Sequence, residues 1–364
     1  RRIDREVATN LPPFMEQGMP TEQITIAEVL RDAGYYTAHI GKWHLGQANG
    51  MDPLSQGFQD SLSMVGPLYL PEDHPDIVNA KFDTGIDKMI WGMGQYSARF
   101  NEGDLFAPDK YLTDYYTDEA IKVIEKNKNR PFFLYLSHWA IHNPLQALRS
   151  DVDRMSHMSG HNLQVYSGMI AALDRSVGKV VEKLKDLDIY GKTLIVFTSD
   201  NGGANYIELE DINKPYRGWK ISFFEGGIRV PFIVSWPDEI SPGQRSNSAI
   251  HHFDIFSTIA SAAKTKSSND NELDGVNLLP YIKKQTSNTM RGVGKRTWRR
   301  VAMHRHCTSI MTCASIDAVA GVSSDGLATM VHPAAMHGAI FQVRRYSGRF
   351  HGLTSPHTPI GIGD

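Results

Sequence analysis

The residues best placed to do chemistry lie in two short blocks, Gly41 to Gly46 reading GKWHLG and Thr198 to Gly203 reading TSDNGG. Lys42 and His44 are two apart, just after an apolar run that ends at Ile40. On an extended segment both side chains would project to the same side, where a cation and an imidazole can hold an oxyanion. Asp200 and Asn201 close a second apolar run and offer the hard oxygen ligands that a divalent cation prefers. Taken singly, a lysine beside a tryptophan is an ordinary surface residue and Asp-Asn-Gly an ordinary turn. Together they suggest an anionic ester as substrate.

The elements that must position these blocks follow a regular grammar. Thr25 and Glu28 form a possible capping box ahead of Ile26, Val29 and Leu30, with Gly34 as the stop. The β-forming run Tyr35 to Ile40 follows, then a helix near 118–128 and the strand PFFLYLS at Pro131 to Ser137. Val165, Met169, Leu173, Val177, Val180 and Leu184 recur at helical spacing. Gly191 closes that helix, TLIVFTSD at Thr193 to Asp200 reads as a buried strand, and PFIVSWP at Pro231 to Pro237 as another. Apolar strands alternating with helices predict an α/β fold, a mostly parallel central sheet flanked by helices, with function on the loops at the strands' carboxyl ends. Residues 50–110 are rich in Gly, Pro, Asp and aromatics without periodicity, which fits either the lining of a cleft or ordinary surface loop. His251 to Lys264 reads as a further helix, and Leu273 to Ile282 as a turn with an apolar return.

With 364 residues, 41% of them hydrophobic, the chain can bury a substantial core. A net charge of −2 gives no support to a nucleic-acid or membrane-surface partner, so any cationic site must be local. No apolar stretch has transmembrane length, and residues 1–20 lack the features of a signal peptide. Both cysteines, Cys307 and Cys313, fall late in the chain, which leaves the candidate site without a thiol. Composition changes at Arg291. Residues 291–364 carry nine basic against three acidic side chains and no Glu, whereas residues 1–290 carry 29 against 37. The chain therefore divides into an α/β unit, 1–290, and a divergent tail, 291–364. His304, His306, Cys307 and Cys313 within that tail match no zinc spacing well.

GYYTAHIGKWHLG at Gly34 to Gly46, preceded by TIAEVLRDA, resembles the second signature of the sulfatases. LYLSHWAIHNPLQA, TSDNGG, RGWKISFFEGGIRVPFIVSWP and DGVNLLPY follow in the order and approximate spacing of sulfatases of the alkaline-phosphatase superfamily, from about Ile24 to Ile282. The resemblance implies sulfuric ester hydrolysis. Lys42 and Lys220 would be the cations on the sulfate, and His44 would sit beside the nucleophile. His142 would donate to the sulfate or protonate the departing alkoxide. Asp200 and Asn201 would ligate a divalent cation, calcium first and magnesium second. Glu225, Gly226 and Gly227 read as a turn shaping the Lys220 loop, and Trp43, His138 and Asp174 as structural.

The family's formylglycine arises within a C/S-x-P-S-R motif, and the nearest approach in this chain is Ser235-Trp236-Pro237, followed by Asp238 and Glu239 instead of Ser-Arg. The resemblance therefore implies that the nucleophile and two further aspartates belong upstream of Arg1, that the fold is incomplete at its N-terminus, and that these 364 residues alone turn over little substrate. A phosphate or phosphonate monoester hydrolase of the same superfamily and a silent anion-binding homologue are the alternatives. The partner implied is a sulfated small molecule or sugar. Family habit implies a periplasmic, secreted or lysosomal setting. The tail matches nothing in the small antiparallel subdomain that sulfatases carry, and its composition suggests frameshifted or foreign sequence.

Overall fold

The computed structural model describes residues 18–265, 273–283, 314–318 and 338–344. Helix α1 (Ile26–Asp32) starts at the capping box expected from sequence: the Thr25 side chain accepts from the Glu28 amide while the Glu28 carboxylate accepts from the Thr25 amide. Strand β1 (Tyr36–Gly41) follows, then β2 (Asp60–Met64), β3 (Ile77–Ala80), α2 (Gly85–Met93), β4 (Ala98–Phe100) and β5 (Leu105–Phe106). Next come α3 (Leu112–Asn127), β6 (Phe132–Ser137), β7 (Leu145–Leu148), α4 (Arg149–Asp153), the long α5 (His161–Asp186) and β8 (Thr193–Ser199). The last elements are α6 (Glu225–Ile228), β9 (Phe232–Ser235), β10 (Arg245–Ile250), α7 (Phe253–Ala262), α8 (Leu279–Ile282), β11 (Ala314–Ala318) and β12 (Gly338–Arg344).

A ten-stranded sheet runs in the order β10-β11-β9-β8-β12-β6-β1-β2-β4-β5, and β3 pairs with β7 in a separate two-stranded sheet. β1 lies parallel to both β2 and β6. β12 runs antiparallel to β6 on one side and to β8 on the other, so β2, β1, β6 and β8 share one direction and their carboxyl ends share one edge. The sheet is mixed rather than uniformly parallel, with antiparallel pairing where β9 meets β8 and β4 meets β2. Two segments of the divergent tail, β11 and β12, are strands of this sheet. His304, His306, Cys307 and Cys313 lie outside the described residues.

Both faces are covered, which explains the continuously apolar strands. Phe132, Leu134 and Leu136 of β6 pack with Tyr116, Ile124, Leu173 and Val177 of α3 and α5, while Phe133 between them packs on the opposite face with Leu30, Phe58 and Ile259. β8 splits in the same way, Ile195 and Phe197 to one side and Leu194 and Val196 to the other, as the two-residue strand period requires. Arg175 of α5 binds both Asp114 of α3 and Asp151 of α4 through two bonds each, tying the helical layer together. The 50–110 excursion is largely built structure: β2, β4 and β5 extend the main sheet and β3 braces β7.

The chain leaves β1 through Gly41, whose φ is +116°, and a Cβ there would stand 2.0 Å from the Ser137 carbonyl oxygen. Only glycine lets β1 and β6 approach this closely while turning Lys42 off the strand. Gly41→Ala is expected to destabilise the chain by more than about 2 kcal/mol. Urea unfolding measures this, and a change below about 0.5 kcal/mol would show the contact to be dispensable.

Candidate active site

Three parallel strand ends deliver the site. β1 hands Lys42 to the edge, β6 leads into the segment carrying Trp139 and His142, and β8 ends immediately before Asp200. The Lys42 amide donates to the Ser137 carbonyl at 2.8 Å, and the Ser137 hydroxyl donates back to the Lys42 carbonyl at 2.8 Å. Buried His39 completes this anchor: Nδ1 meets the Ser61 hydroxyl at 2.9 Å, while Nε2 faces the Lys42 carbonyl at 3.3 Å and the Ser137 hydroxyl at 3.1 Å. Lys42 is thus held at both ends of its own peptide unit.

The Lys220 loop docks on the TSDNGG turn. The Lys220 amide donates to the Gly203 carbonyl at 3.0 Å, and the side-chain amide of buried Asn213 bonds both the Gly203 amide and its carbonyl. Gly202 sits so close beneath this loop that a Cβ would stand 1.9 Å from the Gly226 carbonyl oxygen. Glu225 to Ile228 form a short helical turn whose Gly226 amide donates to the Arg217 carbonyl at 2.8 Å. This turn shapes the loop on which Lys220 stands.

His142 is buried at the meeting point. Its Nδ1 lies 2.6 Å from the Asn143 carbonyl and its Nε2 lies 3.2 Å from the Lys220 Nζ. A carbonyl accepts only, so Nδ1 carries the proton, and Nε2 accepts from the Lys220 ammonium. The ring stacks on Trp139 with centroids 4.0 Å apart, and the Lys42 ammonium lies over the same indole at 4.8 Å. Trp139 therefore touches both His142 and Lys42. The 50–110 excursion holds this segment from behind: Tyr69 donates to the His142 carbonyl and the Trp139 indole to the Pro67 carbonyl, each at 2.8 Å.

The electrostatics join these groups into one cluster. Burial lowers Lys42 to about 8, with Lys220 acting in the same direction and Asp200 opposing. Burial also lowers Lys220, again against Asp200. His142 is driven well below the usual imidazole range by burial, then by Lys220 and Lys42. His44, exposed at the rim, is lowered first by Lys42, then by burial and Lys220. Asp200 keeps an open face to solvent, yet the protein packed around its carboxyl lifts it to about 6 against the pull of both lysines. Lys42 and Lys220 each act on His44, His142 and Asp200, so these five residues lie in one electrostatic neighbourhood. Trp43 packs instead, its indole donating to the Met51 carbonyl at 2.8 Å. His138 meets Ser176 of α5 at 2.8 Å through Nε2.

Sequence reading missed His39, Trp139 and Asn213. Asn213 gave no signal, and His39 and Trp139 sit inside apolar stretches where they read as core. As ligand donors, Asp200 and Asn201 fit a hard cation in chemistry, and the Asn201 nitrogen donates to the Gly202 carbonyl at 3.0 Å, which identifies its Oδ1. These two side chains are a part of the six to eight oxygens that calcium takes. Among the described residues no group of three or more His, Cys, Asp or Glu side chains gathers as a metal site.

The sulfatase family model matches residues 3–265, and the chain belongs to the sulfatase family. Human N-acetylgalactosamine-6-sulfatase is 32% identical over 274 residues, 74% of this chain and 50% of that protein. The arylsulfatase of Hemicentrotus pulcherrimus is 33% identical over 268 residues, 72% of this chain and 47% of that protein. The chain spans about half the length of these curated relatives. Among solved structures, Ps i-CgsB in complex with k-i-k-neocarrahexaose matches with a TM-score of 0.64 and 32% identity, covering 73% of this chain and 59% of that one. Sulfatases are generally metal-dependent. Among the described residues no helix is long and apolar enough to cross a membrane.

Burial holds His39 near 4 and His138 near 3. Both stay neutral in the folded chain at pH values where the unfolded chain binds protons, so stability is complete above about 6.5 and falls as pH drops towards 4. Urea midpoints measured between pH 7 and 4 should fall steadily, and His39→Asn should remove about one proton from the slope. An unchanged slope in that variant would mean that His39 is protonated in the fold.

Proposed function

We propose that this chain forms part of a sulfuric ester hydrolase, with Lys42, Lys220 and His142 as the pocket for the sulfate group of a sulfated sugar. The observation that carries the reading is the convergence of two desolvated lysines and a neutral buried imidazole at one sheet edge. Such a cluster is electrostatically costly when empty and is relieved by a monoanion. Sulfate esters are monoanionic at neutral pH, and the Asp200 carboxylate offsets part of the lysines' positive charge. Relatives named for N-acetylgalactosamine 6-sulfate and a neighbour bound to a neocarrahexaose favour a carbohydrate carrier.

The roles we infer follow from this arrangement. Lys42 and Lys220 would take non-bridging or leaving oxygens, where charge builds as the S–O bond breaks. In the hydrogen-bond arrangement described above, Lys220 is the proton donor and His142 Nε2 the acceptor. The departing alkoxide would therefore take its proton from the Lys220 ammonium, directly or through His142, leaving the neutral amine to be reprotonated from solvent. His44 at the rim would face the nucleophile's side. Asp200 and Asn201 would contribute oxygens to a divalent cation, calcium first, which when bound polarises a sulfate oxygen.

Lys42→Ala and Lys220→Ala are each expected to weaken methyl sulfate binding by about 10- to 100-fold, the worth of one charge-assisted hydrogen bond. Calorimetric titration would read this, and unchanged affinity in both variants would remove the pocket. Calcium should raise the thermal midpoint of the wild type, and Asp200→Ala should abolish that rise. A calcium response that survives Asp200→Ala would place the cation elsewhere.

A further inference from the structure

Thr84 and Asp87, three apart at the start of α2, have the residue types of a capping box. Half of it forms, the Asp87 amide donating to the Thr84 hydroxyl at 3.3 Å. The other half is diverted. A carboxylate at this position ordinarily reaches back to the amide of the capping residue, whereas Asp87 Oδ2 takes the amide of Phe82 at 2.8 Å and Oδ1 takes the side-chain amide of Asn143 at 3.2 Å. Asp87 is fully buried. Both of these partners are neutral amides rather than a cation, and a carboxylate buried on such terms is costly to keep. A helix cap by itself needs no such burial.

The cost falls beside His142. Asn143 is also fully buried, and its Oδ1 has no hydrogen-bond partner among the described residues, so its side chain is held by the Asp87 bond. A carboxylate only accepts, which fixes the amide with Nδ2 towards Asp87. The main-chain carbonyl of this same Asn143 takes the His142 Nδ1 proton at 2.6 Å, and that leaves Nε2 as the acceptor 3.2 Å from the Lys220 ammonium. In the other tautomer Nε2 would carry a proton and face the ammonium donor to donor. The same turn of α2 also braces the loop beyond TSDNGG, the Thr84 hydroxyl donating to the Tyr206 carbonyl at 3.3 Å. We propose that Asp87 is a positioning residue for the pocket: by holding Asn143, it keeps His142 in the Nδ1-protonated tautomer whose Nε2 accepts from Lys220. Its consequence for anion binding rests on the sulfate-pocket reading, and the tautomer rests on geometry alone.

The test combines heteronuclear NMR of a histidine-labelled chain at neutral pH, with His142 identified by its loss in His142→Gln, and calorimetric titration with methyl sulfate. The wild type should show His142 as the single Nδ1-protonated tautomer. Asp87→Ala should show both tautomers and bind methyl sulfate about 10-fold more weakly, the worth of one charge-assisted hydrogen bond. Asp87→Asn should keep the single tautomer and an affinity within about twofold of the wild type, because the new oxygen can accept from Phe82 while the new amide donates to Oδ1 of an inverted Asn143. Asn143→Ala, which leaves the Phe82 bond in place, should behave as Asp87→Ala does and carries the test if that variant fails to fold. Thr25→Ala removes the cap of α1 and controls for stability lost elsewhere; its His142 tautomer should be unchanged. An Asp87→Ala or Asn143→Ala chain that is folded by its urea midpoint and keeps the single tautomer would overturn the proposal, as would a Thr25→Ala chain that loses it. Asp87→Asn matching Asp87→Ala would make the charge, not the bond to Asn143, the source of the effect and also overturn it. A wild type that fails to bind methyl sulfate would remove the pocket reading, while the tautomers still decide whether Asp87 positions His142.

Discussion

Two lysine ammonium groups held in one pocket away from water repel each other, and the rest of the structure answers to that repulsion. Left to themselves, flexible lysine stems would swing apart into solvent. Here the main chain on which each stands is fixed. Lys42 is locked by reciprocal bonds with Ser137 and by His39, and Lys220 by Gly203 and Asn213. The field in the pocket is therefore set before any anion arrives, which is the condition under which fixed charges stabilise a developing negative charge without reorganisation.

That fixity comes from the sheet. β1, β6 and β8 are buried on both faces, and their shared direction brings three loops to one edge. Close approach of backbone finishes the work at Gly41 against Ser137 and at Gly202 against Gly226. The excursion through β2 to β5 adds a second support by bonding the His142 and Trp139 segment through Tyr69 and Pro67. Stability of the core and geometry of the pocket are therefore coupled.

Much of this was legible from residues alone, for identifiable reasons. β1, β6 and β8 are long apolar runs with sharp ends, and α1 carries its own cap, so period and capping chemistry located them. Lys42, His44, Asp200 and Asn201 stood out because they follow apolar runs, whereas His142 and Lys220 came only from the resemblance of their motifs to those of sulfatases. The start of α3 at Leu112 was not visible, because Tyr111 before it makes no side-chain cap and leaves no start signal. The short strands β2 to β5 were missed because runs of two to five residues have too little periodicity to read, and their pairing depends on partners distant in sequence. β12 between β6 and β8 belongs to the same class, since its place is set by strands far from it in sequence. His39, Trp139 and Asn213 act through contacts across the fold, which no local pattern encodes.

The most direct test of the central claim is a crystal structure of the chain soaked in inorganic sulfate. The account predicts one sulfate with oxygens within hydrogen-bond distance of both Lys42 Nζ and Lys220 Nζ, with the Lys220 ammonium turned from His142 towards the anion. A pocket that stays without sulfate, Lys220 still bonded to His142 while sulfate binds elsewhere, would contradict it.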